Sequence, residues 1–198
     1  MEWLLLKMNQ TLQMQPDAWL VSRELTQAAG LWDVRLHRDN DGEYFCRVIL
    51  ASDGVRFVPE AKSYYRFAGF NSISHIGRTQ RKLESLFLSM QLQFGYLRSV
   101  EDSARVRAAC LKYLQSWTLE FYPFRMDLVR KAEQLAESLG GKLEEPRMSW
   151  KYDWVRAAFG WRAAREAQLL LTRFRGNLRI DYDWVLSRLE RGDPMEKI

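Results

Sequence analysis

Asp39-Asn40-Asp41-Gly42-Glu43-Tyr44-Phe45-Cys46-Arg47-Val48-Ile49 is the stretch that decides the fold of this chain. Asn40 followed three residues later by Glu43 has the spacing of a capping box. Tyr44, Phe45, Val48 and Ile49 then recur at helical intervals, which predicts a helix with one buried face that stops at Gly54. Just beyond it, Val55, Phe57 and Val58 alternate with Arg56, and Pro59 closes the run. That is the pattern of a short strand, and Ser63-Tyr64-Tyr65-Arg66 reads as a second. A lone strand pair is marginal in water, so these two need a sheet to join. Upstream, Ser22 caps a short helix that runs through Ala28 and ends at Gly30. Residues 13–16 and 19–21 look extended, and residues 2–9 look helical.

From Arg78 onward the pattern is helical. Leu83, Leu86, Phe87, Met90, Phe94 and Leu97 mark one buried face; Val106, Cys110, Tyr113, Leu114 and Trp117 mark a second. Leu128, Ala132, Leu135 and Leu139 mark a third, with Gly140-Gly141 as its stop. Glu101-Asp102-Ser103 reads as a helix start and Phe159-Gly160-Trp161 as a helix junction. A hinge at Glu144-Glu145-Pro146 precedes a last helical stretch. The expected class is therefore α+β, mainly α, with few short strands. Two domains are expected, 1–76 mixed and 77–198 a helical extension.

Composition bounds what such a chain does. Of its 198 residues, 47% are apolar and 28% charged, which excludes wholesale disorder and a disulfide scaffold. The apolar run Trp3-Leu4-Leu5-Leu6 is far too short to span a membrane and lacks the flanks of a signal peptide. Cys46 and Cys110 sit among apolar neighbours, so two buried thiols are expected rather than a disulfide. Only His37 and His75 are present, which excludes a multi-histidine metal site, and neither accompanies a nucleophile-elbow motif. A cytoplasmic location, at or near the inner face of the membrane, is the expectation.

Charge is unevenly placed. Residues 1–66 hold 8 basic and 9 acidic side chains, whereas the remainder holds 22 and 16. Residues 147–179 hold eight basic and only two acidic groups, interleaved with Trp150, Trp154 and Trp161. Such a segment suits an anionic membrane surface or nucleic acid. A solvated basic face with its aromatics anchored in a core is the plainer reading and stands first.

Chemistry concentrates at 30–47. Asp39, Asp41 and Glu43 crowd a helix start, where the helix dipole favours ionised carboxylates. An aspartate held at a loop–helix junction is a usable general base. Spacing alone is also met by plain capping, in which Asn40 and Glu43 cap the helix and the two aspartates complement its dipole; that reading stands ahead on spacing.

In order along the chain, Gln15-Pro16-Asp17-Ala18-Trp19-Leu20-Val21-Ser22-Arg23, Gly30-Leu31-Trp32-Asp33, Asp41-Gly42-Glu43-Tyr44-Phe45 with Arg47, Val55-Arg56-Phe57-Val58-Pro59, Tyr64-Tyr65-Arg66 and Asn71-Ser72-Ile73-Ser74 resemble the acceptor side of inverting family-2 glycosyltransferases of the GT-A fold. The resemblance covers about residues 10–75. It implies transfer of a sugar from a nucleotide-sugar to an acceptor hydroxyl with inversion, assisted by a divalent metal, Mg or Mn. Asp41 falls on the base position and Glu43 on the second acidic position, as catalytic residues. Arg47, Tyr65, Arg66 and Trp19 fall on substrate-binding positions, with Arg47 holding the carboxylates in place. Asp39-Asn40-Asp41 has the form of the family's Asp-x-Asp metal motif. It follows the segment 15–23 that should come after that motif and opens a helix, so it belongs to the base region, and the metal site is expected outside this chain. The nucleotide-binding half should precede residue 10, and the expectation is a fragment, inactive alone, whose strands complete a sheet begun elsewhere. The alternative is a stand-alone helical module that binds nucleic acid or, in preference, an anionic membrane surface through 147–179.

Overall fold

Apolar residues at three- and four-residue spacing have to be covered, and in this chain other helices cover them. The computed structural model describes the backbone of residues 1–64 and 79–191, with the side chains of all of these except Arg173 and 176–191. They form α1 (Glu2–Gln10), α2 (Arg23–Ala29), α3 (Asn40–Ala51), α4 (Gln80–Val100), α5 (Ala104–Phe121), α6 (Met126–Ser138) and α7 (Asp153–Arg191), with 3-10 turns at Pro16–Ala18 and Trp150–Tyr152.

The expected α+β class is corrected here: no strand occurs among the described residues, and the class is all-helical. Residues 55–58 are irregular and lie at the surface, with Phe57 83% exposed. The physical reason is the one that makes lone pairs marginal. A strand is stable only beside another strand, and the described residues offer no sheet edge to join. Three alternating apolar residues carry too little burial to stabilise an isolated ladder. The second expected strand runs into residues 65–66, outside the described residues.

The helices follow their sequence signals closely. Ser22 Oγ accepts the Leu25 amide at 3.2 Å to start α2. Gly30 ends it with φ 81°, a left-handed conformation that favours glycine. At the end of α6, Gly140 (φ 82°) and Gly141 donate to the carbonyls of Glu137 (2.9 Å) and Ala136 (3.0 Å), the paired bonds of a Schellman stop. The start of α3 departs from expectation. Asp39, not Asn40, is the cap residue, and the Glu43 side chain does not reach back to close a capping box.

One unit comprises the described residues up to 64 and those of 79–146; the other comprises those of 147–191. Helices α4–α6 thus belong with α1–α3, and the division falls after Pro146 rather than after residue 76. In the first unit α1 packs on α5, α2 on α3, α3 on α4, and α5 on both α4 and α6. Leu4, Met8, Phe45, Leu86, Met90 and Leu114 are buried where these helices meet. Each such side chain contributes about 1.5–3 kcal/mol. Cys46 and Cys110 are free and buried, and burial pushes both thiols up to about 12. The second unit is α7 with its preceding turn, broken at Gly160, where φ is 78° and ψ 175°. Trp150 and Trp154 are 76% and 68% exposed, so they are not core anchors. Among the described residues no helix is long and apolar enough to cross a membrane.

Candidate functional site

The loop 31–39 approaches α4 along a row of polar side chains four residues apart, Ser85, Ser89 and Gln93, all buried. Ser85 Oγ accepts the amides of His37 (2.7 Å) and Arg38 (2.9 Å) and donates to the Arg38 carbonyl. Arg38 also pairs with Glu120 at 2.9 Å. Ser85 thus satisfies three backbone groups of the loop just before α3.

Asp39 then takes φ 56°, a left-handed conformation costing about 1 kcal/mol for a non-glycine residue. Its Oδ2 accepts from Ser89 Oγ and Gln93 Nε2, each at 2.8 Å. Gln93 in turn accepts a short hydrogen bond from Lys7 Nζ, which also donates to Tyr113 OH at 3.2 Å. Lys7 is 1% exposed. Burial lowers its pKa, while Asp39 is first among the charges that oppose the shift. A buried polar chain thus runs from α1 through α4 to the cap of α3. Gly42 leaves room for that carboxylate: a Cβ there would lie 2.3 Å from Asp39 Oδ1.

Glu43 is buried too. Arg47, one turn on, binds it through two nitrogens at 2.7 and 3.0 Å, and Tyr96 OH donates to it at 3.0 Å. Burial and that contact push the Tyr96 phenol up to about 12. The same guanidinium donates to the carbonyls of Ala29 and Leu31, the latter at 2.9 Å. Arg47 therefore ties the Gly30 turn to α3. The carboxylate it holds is Glu43.

Asp41 stands apart. It is half-buried in the first turn of α3, and among the described residues no other residue hydrogen-bonds its carboxylate. Burial raises its pKa, its own amide opposes the rise, Asp39 adds to it, and Lys7 opposes it. Beside it on α3, Tyr44 stacks on Trp32 with ring centroids 4.1 Å apart, and Trp32 keeps 39% of its surface exposed. Asp33 binds Arg35 through side chain and backbone and is held at about 2.

The sequence-derived residues are only partly brought together. Asp41, Glu43 and Arg47 share the first two turns of α3. Trp19 packs its ring on Phe45 (5.1 Å) and against Trp3 (5.0 Å), as part of an aromatic cluster behind that helix. Tyr65 and Arg66 lie outside the described residues. Asp39-Asn40-Asp41 does not fit a divalent cation. Asp39 Oδ2 already receives two donors, and a lysine ammonium supplies positive charge nearby. No group of three or more His, Cys, Asp or Glu side chains is placed to hold a metal among the described residues.

Lys7, Ser89 and Gln93 were missed from sequence. The available signals were a lysine on the same face as Leu4 and Met8, and polar residues repeating every four positions beside the apolar face of α4.

Comparison with protein families, curated proteins and solved structures finds no match to this chain.

Proposed function

We propose that this chain carries the acceptor side of an inverting glycosyl-transfer site, with Asp41 as the base that deprotonates the acceptor hydroxyl. One observation carries the reading, the unequal fates of the carboxylates around the α3 start. Asp39 is held by Ser89 and Gln93, and Glu43 by Arg47 and Tyr96. Asp41 is only half-buried, takes no hydrogen bond from another described residue, and is made more basic by burial. Those are the properties a general base needs: access, a free lone pair and a raised proton affinity. The resemblance of residues 10–75 supplies the reaction class; the sheet it implied forms no part of the reading.

In the step proposed, the acceptor oxygen attacks the anomeric carbon of the donor. Its O–H bond breaks and the proton passes to an Asp41 carboxylate oxygen. The bond from the anomeric carbon to the diphosphate breaks, and its electron pair leaves with the diphosphate. Glu43 and Arg47 act as positioning residues that fix the helix turn bearing Asp41. The nucleotide-sugar is bound outside this cluster.

The test is glycosyl transfer by the complete assembly that carries the donor site. Asp41→Asn should lower the rate about 10²–10⁴-fold while the circular dichroism of the chain stays the same. Undiminished transfer would remove Asp41 as base. Because its folded pKa is raised, Asp41 destabilises the fold as pH climbs above the ordinary carboxylate range. The same variant should therefore melt slightly higher than the native chain at neutral pH.

A further inference from the structure

The α7 unit carries a surface that the Asp41 cluster does not use. Along its second arm, Leu170, Leu171 and Phe174 are all exposed, Leu170 by 68% and Phe174 by 60%. At 100° per residue these side chains fall within about 100° of the helix circumference, with Ala163 and Ala167 on the same side. Arg162 and Arg175 are exposed on either flank of that stripe. Ahead of the Gly160 break, Trp150, Trp154 and Phe159 are exposed beside the exposed Lys151 and Arg156. An apolar stripe of this size in water is costly unless something covers it.

We propose that α7 lies along an anionic lipid surface, with Leu170, Leu171 and Phe174 in the acyl boundary, Trp150 and Trp154 at headgroup level and the flanking arginines on lipid phosphates. Charge complementarity selects the occupant: among the described side chains of 147–179, Arg147, Lys151, Arg156, Arg162 and Arg175 are exposed against Asp153 and Glu166, while Arg165 is buried. Contiguous leucine and phenylalanine select lipid over nucleic acid, whose phosphates and base edges offer no aliphatic medium to bury them. Tryptophan at the water–lipid boundary fits its amphipathic ring. The helix lies on the surface and does not cross it, being too polar to span.

The full chain is mixed with phosphatidylcholine vesicles, with and without phosphatidylglycerol, and sedimented at low and high salt. Binding to the anionic vesicles is expected at low salt, with a blue shift of tryptophan emission that Trp150→Phe with Trp154→Phe removes. Arg156→Gln, Arg162→Gln and Arg175→Gln together should weaken partitioning by roughly fivefold per charge. Leu170→Ser with Phe174→Ser should weaken it at every salt concentration. All of these positions are exposed, and circular dichroism without vesicles checks that the fold is retained. Failure of the native chain to sediment at low salt overturns the proposal. So does undiminished binding by the Leu170, Phe174 variant, and so does retention of duplex DNA without retention of vesicles. The Asp41→Asn chain should sediment like the native one, so this result and the fate of the glycosyl-transfer reading are independent.

Discussion

At the residue scale, Gly42 shows how one missing side chain arranges a site. Alanine is favoured over glycine inside a helix by about 1 kcal/mol. Here its Cβ would lie 2.3 Å from Asp39 Oδ1 and 2.8 Å from Cγ, so the carboxylate would have to leave Ser89 and Gln93. A hydrogen bond to a charged group contributes about 1.5–3 kcal/mol, and two are at stake. The loss outweighs the helical gain. Gly42→Ala should destabilise the chain by about 2–5 kcal/mol, read as a lower urea midpoint at unchanged slope. A midpoint that rises would mean the Asp39 carboxylate is not committed to α4.

At the element scale, α3 is fastened by the Glu43–Arg47 pair. The two residues are one turn apart and are legible in sequence as an i, i+4 ion pair. On a surface such a pair is worth little. Here Glu43 is buried, and the same guanidinium also binds the Ala29 and Leu31 carbonyls. Arg47→Ala strands a buried carboxylate and two carbonyls, and should cost about 3 kcal/mol by chemical denaturation. Arg47→Lys should recover only part of that, because an ammonium cannot reproduce the planar fork. Equal stability of the lysine variant and the native chain would show that charge alone fastens the turn. The segment 55–58 failed at this same scale. Its alternation is present in the sequence, but a pattern of period two acquires meaning only beside a partner strand.

Across the first unit as a whole, Lys7 links α1 to α4 through Gln93 and to α5 through Tyr113, and Gln93 carries the chain on to Asp39 at the start of α3. Its folded pKa lies below the ordinary lysine value of 10.5 because burial penalises the charge. Between those two values the unfolded chain binds more protons than the folded one, so the stability contributed by Lys7 rises with pH across that window. The stability of the native chain relative to Lys7→Met should therefore increase between about pH 7 and about pH 10. Urea unfolding of both proteins at the two pH values measures it. A difference independent of pH would mean the ammonium is solvated in the folded state.

Periodicity alone determined α3 to α6 and which of their faces turn inward. Leu83 to Leu97, Tyr44 to Ile49 and, on α6, Leu128, Ala132 and Leu139 are buried as their spacing requires, with Leu135 half-buried, because a 3.6-residue repeat of apolar side chains is a local property. Local chemistry likewise determined the Ser22 cap, the Gly30 and Gly140 ends and the two buried thiols. The crowding of Asp39, Asp41 and Glu43 was also legible. Which of the three stays accessible was not, since that depends on Ser89, Gln93, Lys7 and Tyr96, all distant in sequence from α3. Tertiary structure likewise decided that 55–58 makes no strand and that Trp150 and Trp154 face outward. Burial and hydrogen bonding are relations between elements, and the chain settles them only when its helices meet.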